Sequence, residues 1–185
     1  MIKLAHSSFA VAVLTSTLAV GALGACGGGS ASGEGASGAS DAAHPLIGSP
    51  GPDFSQASLN GKGKIAFKSL NGKVAIVDFW ATWCEPCKKS FPKLQELNVK
   101  YKASGLEIVA ISEDDENQGI PEFGTTYGAK FPLLWDDGKA IAGKWQPKSM
   151  PFTFVVDKKG IVRFVHLGYH DGEEVEIEKE VKSLL

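Results

Sequence analysis

The chain has 185 residues, 22 of them glycine, and a formal net charge of −2. Its length allows one or two small domains. The near-neutral charge, with no cluster of basic residues, excludes the electrostatic signature of a nucleic-acid-binding protein, and no partner of that class is expected.

The N-terminal 25 residues have the layout of an export signal. Lys3 is followed by the apolar stretch "FAVAVLTSTLAVGALGA" and by small residues before a cleavage point. The apolar stretch is short for a permanent membrane span. Cys26 closes "LGAC", which resembles the lipobox of bacterial lipoproteins, where the cysteine sulfur receives a diacylglycerol. We predict a lipoprotein signal peptide over residues 1–25 and a lipid anchor at Cys26; the alternative is an ordinary cleaved signal followed by a chance cysteine.

Residues 26–44 contain almost no apolar side chain larger than alanine. Such a segment cannot bury enough surface to offset its chain entropy, so we predict a flexible tether. The remaining residues, 45–185, are enough for one domain with its own core. We therefore expect an exported domain, held on a bacterial membrane and facing the periplasm or the cell exterior.

The first half of this domain predicts a strand, a helix and a second strand. "GKVAIVDFWA" is apolar without alternation, as in a strand buried on both faces of a parallel sheet. Phe91, Leu94, Leu97 and Tyr101 recur at spacings of three and four, which indicates an amphipathic helix ending near Gly105. "LEIVAIS" is the second buried strand, and the three elements make a right-handed crossover.

The second half predicts shorter elements. "EDDENQG" opens a helix through Phe123 and Tyr127, "FPLLW" is a short strand, and "GKAIAGKW" is helical. "FTFVVDKKGIVRFVHLG" is typical of two alternating strands joined by a tight turn at residues 158–160. A closing helix spans residues 171–185, marked by Val175, Ile177, Val181 and Leu184. Together these elements predict a mixed sheet with helices on both faces.

Cys84 and Cys87 lie in "WCEPC", where the first strand ends and the helix begins. The helix dipole there stabilises a thiolate, and a first helical turn tolerates Pro86. If Cys26 is lipidated, these two cysteines are left to pair with each other. Two other interpretations are open: a metal site, which lacks the further ligands zinc needs, and a structural disulfide, which would close a very short loop.

The segment "VDFWATWCEPCKK" resembles the active-site segment of the thioredoxin superfamily. "GSPGPDFSQASLNGK" before it and "MPFTFVVDKKGIVRFVHLG" after it resemble the membrane-tethered TlpA and ResA-like thiol-disulfide oxidoreductases. The resemblance spans roughly residues 46–185 and implies a thioredoxin-like three-layer fold with an N-terminal extension. It also implies a central αβ insertion between residues 113 and 145.

The resemblance implies a role for each residue of the motif. Cys84 is the attacking thiol, Cys87 resolves the mixed disulfide, and Trp83 is the aromatic residue beside them. Glu85 and Pro86 set the redox poise. Met150 and Pro151 match the cis-proline loop that binds an extended substrate chain next to the sulfurs.

Asp78 interrupts an apolar strand, which predicts a buried acid with a raised pKa that exchanges a proton with Cys87. The alternative is a carboxylate turned to solvent at the strand end. ResA-like members carry a glutamate three residues after the second cysteine, where this chain has Ser90. That departure leaves Asp78 as the proton carrier.

A site that stabilises the thiolate makes its disulfide more oxidising. Glu85 places a negative charge beside Cys84, which disfavours the thiolate and favours a reductant. The positive charges of Lys88 and Lys89 oppose this effect of Glu85. We expect a monomeric protein-disulfide reductase with no resident metal and no cofactor beyond its own disulfide. Its partners would be an oxidised protein client, such as the haem-attachment cysteines of an apocytochrome c, and a membrane thiol donor.

Two alternative functions come from other classes. A copper-handling module would use Cys84 and Cys87 with His166 or His170, although copper-delivery relatives space their cysteines three apart. A thiol peroxidase would need a peroxide-reacting cysteine in a threonine-bearing motif, which this chain does not contain.

Overall fold

A computed structural model describes residues 44–185. The predicted signal peptide, Cys26 and the tether up to residue 43 lie outside the described residues. His44, assigned to the tether from the sequence, is buried and its ring lies 5.1 Å from that of Phe154, so it packs with the domain. Within residues 44–185, no helix is long and apolar enough to span a bilayer.

The domain is built on a five-stranded sheet in the order β5-β4-β3-β6-β7. The strands are β3 (Val74–Trp80), β4 (Leu106–Ser112), β5 (Leu133–Trp135), β6 (Phe152–Val156) and β7 (Val162–Leu167). β3 pairs in parallel with β4, and β4 with β5, whereas β3 with β6 and β6 with β7 are antiparallel. The continuous apolar sequence of β3 follows from its central position, where both faces are covered.

Helices cover both faces of this sheet, as the sequence predicted. On one face lie α1 (Glu85–Tyr101), α2 (Ile120–Thr126) and α4 (Glu173–Leu184), whose apolar side chains pack on Ile76 and Ile108. On the other face lie α3 (Ala142–Trp145) and a hairpin of β1 (Ser55–Ala57) and β2 (Lys64–Ala66), with Trp145 at the centre of an aromatic cluster. The result is a three-layer α/β domain.

The central insertion differs in detail from the prediction. The segment "EDDENQG" does not open a helix, because α2 begins only at Ile120. "GKAIAGKW" forms a short 3-10 turn over residues 137–139 and the single turn of α3. The insertion therefore contributes edge strand β5 and short helices around longer connecting loops.

The C-terminal part departs from the predicted pattern at two places. β6 is buried at all five of its residues, because it lies between β3 and β7 inside the sheet and is not half-exposed as alternation implies. Val175, one of the four apolar residues that mark the closing helix, is 66% exposed. Ile177 and Val181 of α4 are buried in the core, and Leu184 is partly buried against it.

A polar row crosses the sheet face that α1 and α4 cover. Asp78 of β3 pairs in register with Thr153 of β6, which pairs with His166 of β7. All three side chains are buried. The row ends at α4, where Glu173 and Glu180 bond to the two ring nitrogens of His166 at 2.7 and 2.8 Å.

Candidate active site

The turn between β3 and α1 brings two cysteines to the start of a long helix. The backbone N–H of Cys84 donates to the carbonyl of Ala81 at 3.1 Å, which closes the turn. Cys84 is the N-cap of α1, and its Sγ accepts a hydrogen bond from the backbone N–H of Cys87 at 3.2 Å. Pro86 lies in the first turn, where no N–H is needed. The sulfur thus stands where a capping oxygen usually lies, at the positive end of the helix dipole.

Cys84 and Cys87 form a disulfide with their Cα atoms 5.3 Å apart. Cys84 is 4% exposed and Cys87 is fully buried, so an incoming thiolate meets Cys84 first. Trp83 is 66% exposed beside it. When the pair is reduced, the Cys84 sulfur lies where the helix N-terminus stabilises a thiolate, with Cys87 one turn away. The pair is therefore suited to thiol-disulfide exchange.

Glu85 and Lys88 form an ion pair beside the disulfide, with 2.7 Å between Oε2 and Nζ. The hydrogen bond from Lys88 and its charge lower the pKa of Glu85, so the carboxylate is ionised at neutral pH. Because the two opposite charges are adjacent and solvent-exposed, their net effect on Cys84 is small. The ion pair therefore leaves Glu85 less influence on the direction of electron flow than the sequence predicted.

Asp78 is fully buried, on the face of β3 that α1 covers. Its Oδ1 accepts a hydrogen bond from the Thr153 hydroxyl at 2.6 Å, and its Oδ2 has no hydrogen-bond partner among residues 44–185. Burial raises the pKa of Asp78 to about 7, although the Thr153 bond acts in the opposite direction. Burial and a raised pKa, both predicted from the sequence, are present. A carboxyl that titrates near neutral pH can accept and return a proton there, while its role toward Cys87 stays a prediction.

The Met150–Pro151 peptide bond is cis, as the resemblance implies. The carbonyl of Pro151 accepts a hydrogen bond from the N–H of Gly168 at 2.8 Å, which ties this loop to the end of β7. Ser90 is buried, and its hydroxyl donates to the carbonyl of Cys87 at 3.2 Å. Pro151 and Ser90 line one small cavity between α1, β6 and α4. Substrate contact by Met150 and Pro151 stays a prediction.

Two candidate residues were missed from the sequence. Nothing in the local sequence points to Thr153, because its hydrogen bond to Asp78 joins residues that are 75 positions apart in the chain. Glu113 directly follows buried β4, a position that could have drawn attention, and its N–H donates to the carbonyl of Trp80 at 2.7 Å. Burial, reinforced by the charge of Asp136, raises the pKa of Glu113 to about 7. The end of β3 therefore has a second buried acid next to it.

The two histidines considered for a copper site, His166 and His170, differ in their exposure to solvent. His166 is buried and bonded on both ring nitrogens to α4 carboxylates, whereas the side chain of His170 is 73% exposed. Among residues 44–185, no three His, Cys, Asp or Glu side chains are grouped so that they could hold a metal ion. Within residues 44–185, neither histidine therefore forms a metal-ligand set with Cys84 and Cys87.

Comparison with known proteins gives consistent matches. The model of the AhpC/TSA family matches residues 47–165. The thiol-disulfide oxidoreductase ResA of Bacillus thuringiensis (strain Al Hakam) is 39% identical over 130 residues, which cover 70% of this chain and 75% of the relative. The thioredoxin-like protein YneN of Bacillus subtilis is 34% identical over 132 residues, covering 70% and 76%.

A solved structure extends the likeness to three dimensions. A Chlorobium tepidum protein, provisionally described as the thiol:disulfide interchange protein DsbE, matches with a TM-score of 0.71 and 29% identity. The match covers 75% of this chain and 96% of that one. The thioredoxin-like fold predicted from the sequence is confirmed.

Proposed function

This chain belongs to the AhpC/TSA family, and from that membership we propose that it is a thiol-disulfide oxidoreductase acting through Cys84 and Cys87. The observation that carries the proposal is the disulfide at the N-terminus of α1, with the buried acid Asp78 on the sheet face that α1 covers. The name of the similar ResA protein states the same activity. The site needs no cofactor beyond this disulfide.

The proposed cycle is a two-step exchange in which the protein reduces a client. The Cys84 thiolate attacks one sulfur of the client disulfide, the client S–S bond breaks, and the released client thiolate takes a proton from solvent. Asp78 then accepts the proton of the Cys87 thiol. The Cys87 thiolate attacks the Cys84 sulfur, the mixed disulfide breaks, and the second client thiolate leaves. Two electrons pass to the client, and the protein ends with its disulfide closed.

The proposed direction is reduction of protein disulfides outside the cytoplasm. The pair between the cysteines is Glu-Pro, without the cationic histidine that would stabilise the thiolate and make the disulfide oxidising. A reductase in an oxidising compartment needs electrons from another thiol protein, for which we propose a membrane donor. As client we propose the haem-attachment cysteines of an apocytochrome c, on the strength of the resemblance to ResA-like proteins.

The proposed location is the outer surface of a bacterial membrane. "LGAC" at residues 23–26 and the preceding apolar stretch support a lipid on Cys26, which would keep the monomeric domain near a membrane donor. Mass spectrometry of the purified full-length product tests this directly. A diacylglycerol on Cys26 supports the anchor, and an unmodified Cys26 or its loss with the signal peptide contradicts it.

The first test is the reduction potential of the Cys84–Cys87 couple, measured in the detergent-solubilised chain against glutathione and dithiothreitol. A value at or below about −230 mV supports a reductase, and about −120 to −180 mV indicates an oxidase or isomerase. A Cys87→Ser variant should accumulate a mixed disulfide with an oxidised client, and Cys84→Ser should not. Copper retention or peroxide consumption by the wild-type chain would favour one of the two alternative functions, and we expect neither.

A further inference from the structure

The turn that presents Cys84 depends on one peptide unit. The carbonyl of Ala81 accepts a hydrogen bond from the backbone N–H of Cys84 at 3.1 Å. On the other side of the same peptide, the N–H of Thr82 donates to both carboxylate oxygens of Asp114, at 3.1 and 3.0 Å. The plane of this peptide is therefore fixed from both sides, and Cys84 follows two residues later.

Asp114 lies in the loop after β4 and is 6% exposed. Besides the Thr82 N–H, its Oδ1 accepts the Thr82 hydroxyl at 2.7 Å, and its Oδ2 accepts the Ser112 hydroxyl at 2.6 Å. Hydrogen bonds to a buried carboxylate are among the stronger ones in proteins. Both carboxylate oxygens are thus occupied by the turn and by the end of β4.

The backbone of Asp114 is itself held from the central insertion. Its carbonyl accepts hydrogen bonds from Trp135 Nε1 at 2.9 Å and from Lys139 Nζ at 3.0 Å. Trp135 ends β5, and Lys139 belongs to the 3-10 turn that follows. Because these two hydrogen bonds hold the backbone of Asp114 in place, the contact of its carboxylate with Thr82 can set the geometry of the turn.

We propose that Asp114 is a positioning residue for the attacking cysteine: it fixes the Thr82 peptide and thereby the orientation of Cys84 Sγ at the N-terminus of α1. The inference rests on the proposed exchange chemistry, and it is independent of the direction of electron flow. Displacing a reacting group by about 1 Å can slow an enzymatic step by about a hundredfold, so loss of this contact has a kinetic consequence.

A purely electrostatic role makes a different forecast. The negative charge of Asp114 disfavours a nearby thiolate, so removing that charge would lower the pKa of the Cys84 thiol and raise its reactivity below that pKa. Asp114→Asn removes the charge, yet its amide can still accept from the Thr82 N–H and donate to the hydroxyls. Asp114→Ala removes charge and contacts together. The two variants therefore separate position from charge.

The experiment measures alkylation of reduced Cys84 by iodoacetamide as a function of pH, and the rate of exchange with oxidised glutathione, in the full-length chain. The matched control is Asp157→Ala, which removes a carboxylate that accepts two backbone N–H groups in the β6–β7 turn, beyond the opposite end of β6 from Pro151. Thr82→Val removes only the hydrogen bond from the Thr82 hydroxyl to Asp114. This variant replaces Asp114→Ala in the test if Asp114→Ala does not fold.

Positioning predicts that Asp114→Ala exchanges at least about tenfold more slowly than the Asp157→Ala control, that Asp114→Asn stays within about twofold of wild type, and that Thr82→Val lies between. Equal rates for Asp114→Ala and the control, or wild-type rates for Thr82→Val where Asp114→Ala does not fold, would overturn the inference. The inference would also be overturned if Asp114→Asn and Asp114→Ala lowered the pKa of the Cys84 thiol equally, because only the charge of Asp114 would then matter. If the wild-type chain exchanges no disulfide at all, the proposed function fails instead.

Discussion

Replacing Asp78 with asparagine removes a titrating group from the core and keeps an acceptor for the Thr153 hydroxyl. Burial raises the pKa of Asp78 from 3.8 to about 7 in the folded chain. The folded state therefore binds this proton at pH values where the unfolded state has released it, and the free energy of unfolding falls as the pH rises. The decrease begins near the unfolded pKa of about 4 and is complete above the folded pKa.

The magnitude follows from the difference between the two pKa values. A difference of about 3 corresponds to about 4 kcal/mol, at 1.36 kcal/mol for each pKa unit. Urea unfolding of the oxidised chain at pH 4 and pH 8 measures it. We expect wild type to lose about 4 kcal/mol more than Asp78→Asn over this interval, and Asp157→Asn to behave like wild type.

The same substitution tests the proton transfer. Asparagine cannot accept the Cys87 proton, so the mixed disulfide should persist, with its resolution slowed by about 10²-fold or more, the usual contribution of a general base. Acid quenching and mass spectrometry of the mixed disulfide follow this step. A wild-type dependence of stability on pH in Asp78→Asn would contradict the raised pKa of Asp78, and a wild-type rate of resolution would contradict its role as proton acceptor.

Three further predictions follow from the side chains around the site. Thr153→Val removes the bond that lowers the pKa of Asp78 and should move the loss of stability to higher pH in the same unfolding series. Burial lowers the pKa of His166, but its bonds to two α4 carboxylates raise it overall, so this ion pairing stabilises the fold below the unfolded pKa of about 6.5 and is lost as the pH rises through the folded value. His166→Gln should cost about 3 kcal/mol in urea unfolding at pH 6 and less at high pH, and an equal cost at both would contradict the ion pair. Glu85→Gln should move the reduction potential by less than about 30 mV, because Lys88 already offsets the Glu85 charge; a larger change would show that the carboxylate acts alone.

The features that could be predicted from the sequence are those that depend on residues close together in the chain. β3 and the start of α1 follow from an unbroken apolar run, two cysteines and Pro86, because local signals fix a buried strand and a helix N-cap. The β1–β2 hairpin has strands of three residues, too short for periodicity to detect. The acidic loop before α2 is similar in composition to the start of a helix, where acidic residues are common, yet α2 begins only at Ile120.

The contacts that complete the site are long-range. Thr82 and Asp114 are 32 residues apart, and Asp78 and Thr153 are 75 apart. Which side chains meet depends on strand order and register, and neither is fixed by local sequence. The sequence therefore pointed to Cys84, Cys87 and Asp78, whereas the contacts that Thr153 and Asp114 make with the site required the folded chain.

The polar row of Asp78, Thr153 and His166 also bears on the fidelity of folding. β6 is apolar on both faces apart from Thr153, so burial alone discriminates poorly between its possible alignments with β3 and β7. A slip of one residue would turn Thr153 to the opposite face, leaving Asp78 without its hydroxyl donor and placing an unpaired hydroxyl among the aromatic rings. The row thus penalises misaligned sheets, and Asp78, which we propose exchanges a proton with Cys87, also helps to select a single native strand register.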